Sequence, residues 1–453
     1  MVRFAAAGET IAAQATPPGR GGIGVIRVSG PAVRAMARAL FGEVPAPRVA
    51  ELKAFPDPSG QPIDHGIALF FPGPGSFTGE DVLELHGHGG PVVMDRLLRR
   101  TLGLGARLAR PGEFCERAFL NGKLDLAQAE AVADLIDSAS EEAARCAVRS
   151  LRGEFSKLVR DLVQDVVALR TRVEATLDFP DEEVGLFDHE VLETRFKGAA
   201  EKLGSVFLAA RQGQVLLDGL SVTITGQPNV GKSSLLNQLL KRDRAIVDAR
   251  PGTTRDTLQE QVLIGGVPIS LIDTAGLRET EDSIEKEGIK RAKAAIDQAD
   301  VVLLVTEYGV ERQATEIELS ADPGLRERIT IIHNKIDLYG KAPSINHAQY
   351  GTEICLSARY GFGIQLLEEH LKARAGYQSA EEGGFTARRR HLEALSRAQA
   401  ALAAACAELC QTGALELVAE HLARVQRSLG TITGEFTSED LLAEIFSSFC
   451  IGK

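Results

Sequence analysis

No stretch of the 453 residues stays apolar for the roughly 20 positions that a helical membrane span requires. Cysteine is scarce as well. The six present, Cys115, Cys146, Cys355, Cys406, Cys410 and Cys450, show neither paired metal-ligand spacing nor the framework of a small disulfide-stapled domain, and they fit reduced thiols in a cytosol. Positive charge is also short. A formal net charge of -11 argues against a surface that binds nucleic acid all over, although a local basic patch remains compatible with it. Residues 1–10 include Arg3 and Glu9 and read as neither signal peptide nor anchor. The last four, Cys450-Ile-Gly-Lys453, have glycine third and lysine last, which suits a prenylation box badly. A cytoplasmic location is expected.

What the chain does have is length for about three domains, and ordinary globular apolar and charged fractions of 44% and 25%. It is organised around residues 220–237. Ser221-Val-Thr-Ile-Thr225 reads as a buried strand, Gly226-Gln-Pro-Asn-Val-Gly231-Lys232-Ser233 is a complete G-x-x-x-x-G-K-S/T loop, and Ser234 begins an apolar-faced helix. The glycines let backbone N–H groups turn inward around phosphates. Lys232 can reach the β- and γ-phosphates, Ser233 can hold Mg²⁺, and the helix N-terminus adds positive potential.

Before this stretch, residues 10–122 alternate strands (Gly24 to Ser29, Gly66 to Phe71, Asp81 to His86) with helices near Pro31 to Leu40 and Pro91 to Leu102, a compact α+β pattern. Alternation along the third strand puts Asp81, Leu83 and Leu85 on one side and Val82, Glu84 and His86 on the other. Glu84 is then either a rim charge or a ligand anchor. Residues 123–218 turn helical, with Leu158, Leu162, Val166, Leu169 and Val173 at three- and four-residue steps, and the pattern returns after residue 378. One all-α domain split in sequence, with an α/β domain inserted, is the economical reading. The expected boundaries are 1–122, 123–218, 219–378 and 379–453. In the insert, strands alternate with helices, which implies a mainly parallel sheet covered on both faces.

Four further motifs follow in the order of a GTPase. Thr253-Thr254 can reach the γ-phosphate and Mg²⁺, and Asp273-Thr274-Ala275-Gly276 closes a strand. In Asn334-Lys335-Ile-Asp337 the carboxylate can accept from both N1–H and the 2-amino group of guanine, a donor pair that adenine lacks. Ser357-Ala358 supplies the loop under the base. Leu277, not glutamine, follows Gly276, so water must be oriented by another group. The acidic run around Glu285 could do this, or could be a solvated helix start.

With its flanking domains, the sequence resembles the tRNA-modifying GTPase family called MnmE or TrmE. The likeness is carried by Ala13-Gln-Ala-Thr-Pro-Pro-Gly-Arg-Gly-Gly22, Gly79-Glu-Asp-Val-Leu-Glu-Leu85, Ala118-Phe-Leu-Asn-Gly-Lys-Leu-Asp-Leu-Ala-Gln-Ala-Glu130, the inserted GTPase motifs and Phe449-Cys-Ile-Gly-Lys453. The resemblance implies an α+β domain for tetrahydrofolate binding and dimerisation, a discontinuous helical domain and a Ras-like GTPase. It further implies a homodimer that modifies C5 of the tRNA wobble uridine with the FAD-containing partner MnmG, a GidA-type flavoprotein. A carboxymethylaminomethyl-type group would be built with 5-formyl- or methylene-tetrahydrofolate as one-carbon carrier.

By the same resemblance, Asn229 ligates K⁺ with backbone groups of Asp248, Arg250 and Thr253, in place of an arginine finger, and Glu285 orients the attacking water. Mg²⁺ falls to Ser233 and Thr254. The nucleotide site comprises Asn229, Val230, Gly231, Lys232, Ser233 and Ser234, residues Asp248, Ala249, Arg250, Pro251, Gly252, Thr253 and Thr254, then Asp273, Thr274, Ala275 and Gly276, and finally Asn334, Lys335, Asp337, Ser357, Ala358 and Arg359. Asp248-Ala-Arg-Pro-Gly252 departs from the family's usual Thr-Asp-Ile-Ala-Gly, and Arg359 stands for a common lysine. For folate the resemblance points to Arg27, Glu84, Lys123 and Lys453. Cys450 is the family's tail cysteine, a thiol that either reacts or merely packs. The competing readings are a ribosome-assembly switch that binds rRNA, which would need an RNA module such as a KH domain, and a mechanochemical membrane GTPase, which would need an anchor.

Overall fold

A computed structural model describes residues 8–178, 189–241, 259–273, 295–310 without 298, 325–376 without 326, 349 and 350, and 384–452 without 437, 448 and 451. The chain divides into two compact units. One gathers Met1–Ala133, Ser150–Glu201 and Ala394–Lys453; the other gathers Asp134–Arg149 and Lys202–Glu393.

In the first unit a six-stranded sheet takes the order β3-β4-β5-β2-β1-β6, from β1 (Ile11–Gln14), β2 (Gly24–Ser29), β3 (Glu51–Pro56), β4 (Pro62–Phe71), β5 (Val82–Gly87) and β6 (Arg107–Leu108). Helices α1 (Val33–Phe41) and α2 (Pro91–Gly103) contribute Val33, Met36, Leu40, Met94 and Leu97 to one core with Ile26, Val28, Leu83 and Leu85. Leu83 and Leu85 therefore share a face as their alternation requires, and Arg27 and Glu84 fall on the opposite one. These two are direct cross-strand partners in the β2–β5 ladder. Helix α3 (Glu113–Leu120) follows, then α4 (Leu126–Asp137) and α5 (Glu141–Leu151).

The helical part is interrupted in sequence, as its apolar spacing suggested. Helix α6 (Glu154–Asp178) buries Phe155, Val159, Leu162, Val166, Leu169 and Val173. It runs beside a helix more than 230 residues later, Leu415–Thr433, which buries Val418, Leu422, Val425, Leu429 and Ile432. Arg170 Nη1 on α6 donates to Gln426 Oε1 at 3.2 Å.

Helix α7 (His189–Asp218) leads to the seven-stranded sheet of the second unit, in the order β12-β13-β11-β10-β7-β9-β8. Its strands are β7 (Leu220–Gly226), β8 (Gln259–Ile264), β9 (Val267–Asp273), β10 (Val301–Glu307), β11 (Ile329–Asn334), β12 (Ser344–Ala348) and β13 (Gly351–Cys355), with helices α8 (Lys232–Leu240) and α9 (Ile364–Ala375). The central strands are parallel, as expected. Both edges, β8 and β12, are antiparallel, and β12 was not foreseen because Ser-Ile-Asn-His-Ala carries little apolar signal and is fixed by its pairing with β13. Residues 301–305 of β10 are all buried, in keeping with a central strand covered on both faces. Helices α10 (Arg389–Gln411), α11 (Leu415–Thr433) and α12 (Glu439–Ser447) complete the described chain. The architecture is multidomain: an α+β domain, a sequence-interrupted all-α module, and an α/β phosphate-loop domain with a Ras-like strand order.

Candidate functional site

The carboxyl ends of β7, β9, β11 and β13 all deliver motif residues, as ligand sites of doubly wound sheets require. The loop after β7 turns through Asn229 at φ 65° and Gly231 at φ 97°. A Cβ on Gly231 would sit 2.3 Å from Asn334 Nδ2, so only glycine fits there. Lys232, buried at the first turn of α8, donates from Nζ to the carbonyls of Gly226 at 3.0 Å and Gln227 at 2.6 Å. These contacts fold the ammonium over the loop mouth, where an oxyanion can replace neutral acceptors with charged ones.

Asn334, 2% exposed, is the knot of the site. Its Nδ2 donates to the Val230 carbonyl at 2.8 Å, and its Oδ1 accepts from the Ala358 amide at 2.9 Å. One amide thus ties the phosphate loop to the loop after β13. Asp337 accepts from Ser357 Oγ at 2.5 Å, which fixes the carboxylate's orientation. Lys335, at φ 66°, pairs with Glu307 at 2.6 Å, and both residues line a cleft with Gln227, Asn229 and Val230. The Arg359 guanidinium lies over the Tyr360 ring, 5.5 Å from its centroid.

Sequence reasoning thus placed Asn229, Val230, Gly231, Lys232, Ser233, Ser234, Asn334, Lys335, Asp337, Ser357, Ala358 and Arg359 at one end of one sheet, where they occur. Asp273 ends β9, in register with Ile224 of β7. Asp248, Ala249, Arg250, Pro251, Gly252, Thr253, Thr254, Thr274, Ala275, Gly276 and Glu285 lie outside the described residues. Glu307 was missed; its only signal is that it ends a strand adjacent to the phosphate-loop strand.

The second predicted cluster lies on the face of the first unit's sheet opposite to the core with α1 and α2. Arg27 Nε donates to Glu84 Oε1 at 2.9 Å, and Glu84 Oε2 lies 3.0 Å from His86 Nε2. Arg27 also sits 5.7 Å from the ring centroids of Phe77 and Phe114. The chain's tail comes to the same place, since Arg27 Nη1 reaches the Gly452 carbonyl at 3.5 Å. Gly452, at φ 100°, leaves no room for a Cβ against Gln14 O. Cys450 is exposed, and its carbonyl accepts from the Gly112 amide at 3.3 Å. Lys123 packs beside Gly79, at the end of the loop that carries Phe77. Lys453 is outside the described residues. His86, Phe77 and Phe114 were missed, although His86 is two residues from Glu84 on the same strand face.

Two family models match the chain. Residues 10–123 match the model described as "GTP-binding protein TrmE N-terminus", and residues 126–450 match "MnmE helical domain". The "tRNA modification GTPase MnmE" of Methylococcus capsulatus is 55% identical over 447 residues, 98% of this chain and 99% of the relative. The chain belongs to the MnmE family of tRNA modification GTPases. Proteins of the same name from Chromohalobacter salexigens and Nitrosomonas europaea are each 54% identical, over 98% of this chain and 98% and 99% of theirs. Among the described residues no helix is long and apolar enough to cross a membrane, and no group of three potential ligands is placed to hold a metal ion.

Proposed function

We propose that this MnmE-family chain binds and hydrolyses GTP and couples that cycle to modification of a tRNA wobble uridine at C5. The observation that carries the nucleotide reading is the buried Asn334 amide, which joins the phosphate-holding loop to the base-reading loop in one rigid end. Asp337, oriented by Ser357, accepts from the guanine N1–H and 2-amino group. Lys232 and the α8 N-terminus hold the phosphates. When bound, Mg²⁺ at Ser233 and Thr254, and K⁺ at Asn229 with Asp248, Arg250 and Thr253, supply positive charge for the transferring phosphoryl group. Asn229, exposed at the loop mouth, is a suitable first ligand. Glu285 orients the water in place of the missing glutamine.

The first unit's Arg27, Glu84 and Lys123, with Lys453, take the folate carrier. Glu84 would take a donor edge and Arg27, its neighbour on a sheet face flanked by the rings of Phe77 and Phe114, would meet a carboxylate of the glutamate tail. The working assembly is a cytoplasmic homodimer with an MnmG-type flavoprotein, FAD being the partner's. Functional domains at 1–122, 123–218 with 379–453, and 219–378 describe this division of labour. GTP turnover by the full chain should be several-fold faster in K⁺ than in Na⁺ at equal ionic strength. Equal rates would remove the cation from the reaction while leaving guanine binding to be tested by itself.

A further inference from the structure

At the amino ends of β11 and β13, away from the nucleotide motifs, the second unit has a cavity of about 400 Å³. Its lining includes Arg328, Thr330, His347, Thr352, His370 and Arg374. His370, on α9, is nine-tenths buried, and its Nε2 lies 2.8 Å from Thr330 Oγ1. No hydrogen bond to its other ring nitrogen is found among the described residues. Burial pushes the His370 pKa down to about 4, and Arg374 and His347 push it the same way. The imidazole is therefore neutral at pH 7.

Both guanidiniums are steered by backbone oxygens. Arg328 Nη1 donates to the carbonyls of Asp297 at 3.0 Å and Ala299 at 2.8 Å. Arg374 Nη2 donates to the carbonyl of Glu327. Among the described residues, Glu327 is the one carboxylate-bearing residue of the lining, and Arg374 makes no salt bridge. A neutral carbonyl positions the Arg374 guanidinium but leaves its charge in place, so the cavity sets that cation beside imidazoles and hydroxyls around space sized for a small ligand. Planar forked donors with hydroxyls beside them suit tetrahedral oxyanions.

We infer that this cavity is a phosphate-binding site, separate from the nucleotide loop and taking either a free phosphate group or a backbone phosphate of RNA. Thr330 stands at one end of β11 and Asn334 at the other, roughly 13 Å apart at the rise of a strand. The proposal does not depend on GTP hydrolysis, and its test uses no turnover.

The test uses full-length protein saturated with Mg²⁺ and GDP, so that the phosphate loop is filled, and carrying ¹⁵N-labelled histidine. The His370 signal is identified by its loss in His370→Gln. Inorganic phosphate is titrated first and an unmodified tRNA transcript second. A saturable shift of the His370 signal in the millimolar phosphate range is expected, weakened at least about ten-fold in Arg374→Gln and less in Arg374→Lys. A shift with phosphate alone assigns the site to free phosphate groups. A shift also produced by the transcript at far lower concentration assigns it to RNA backbone. No shift with either, or a shift of equal affinity in Arg374→Gln, overturns the inference.

Discussion

The nucleotide end of the second unit and the sheet face of the first that carries Arg27 and Glu84 are each held together by different means. At the nucleotide end the ties of the phosphate loop run through backbone groups, Lys232 to two carbonyls and Asn334 to one carbonyl and one amide, with the Lys335–Glu307 ion pair beside them. On the first unit's face and along α3 the partners are charged side chains. Arg27 pairs with Glu84, and Glu113, fully buried, accepts from Arg107 at 2.5 Å and Arg117 at 3.1 Å. Backbone bonds hold a loop in place without neutralising the charge that meets a ligand. Paired side chains satisfy each other, so a ligand of that face must displace one of them. The first arrangement should be indifferent to mild acid and the second should not.

The largest expected effect concerns chemistry and leaves the scaffold intact. Glu285→Ala should lower GTP turnover by about 10²-fold or more while GTP affinity holds, and single-turnover rates with a parallel binding titration check it. If affinity collapses too, Glu285 is part of the scaffold.

Next is acid stability in the first unit. Burial alone would raise the Glu113 pKa, but bonds from Arg107, the Arg110 amide and Arg117 outweigh it and hold the carboxyl at about 2, against an ordinary 4.5. A carboxylate depressed in the folded state adds stability that is complete above pH 4.5 and is lost as pH falls toward 2. The contribution is on the order of 3 kcal/mol, so Glu113→Gln should flatten the acid limb of the unfolding profile below pH 4.5. An unchanged limb would deny the contrast between the two regions.

Asn334→Ala should cost about 2–3 kcal/mol, because it strands the Val230 carbonyl and Ala358 amide, and the loss should be independent of pH between 4 and 7. Thermal unfolding against pH checks both parts. Smallest of all, Glu84→Gln should weaken binding of 5-formyl-tetrahydrofolate by about ten-fold in titration calorimetry, with no change in GDP affinity. Equal loss at both sites would mean that the substitution acts through folding.

Much of this was legible in the chain because short motifs at strand ends specify both a turn and its chemistry. Gly231, Lys232, Asn334 and Asp337 lie where their spacing put them, and helix α6 buries Leu162, Val166, Leu169 and Val173 of the series picked out by three- and four-residue steps, whereas Leu158 is exposed and Val159 takes the buried place. The role of Asn334 as a tie between loops was not legible, since Val230 and Ala358 meet it only through folding. Strands β1, β3, β6 and β12 also escaped notice. Their residues are short runs or weakly apolar, and pairing with a neighbour decides their state. Nor could spacing show that the Gly452 carbonyl reaches Arg27, a contact 425 residues apart.

The central claim is that Asp337, oriented by Ser357 and anchored through Asn334, makes this a guanine-reading site. Calorimetric affinities of GDP and xanthosine diphosphate for the full chain and for Asp337→Asn test it most directly. The account predicts strong preference for GDP in the unaltered protein and reversal toward the xanthine nucleotide in the variant. Equal affinity of both proteins for both nucleotides would contradict it.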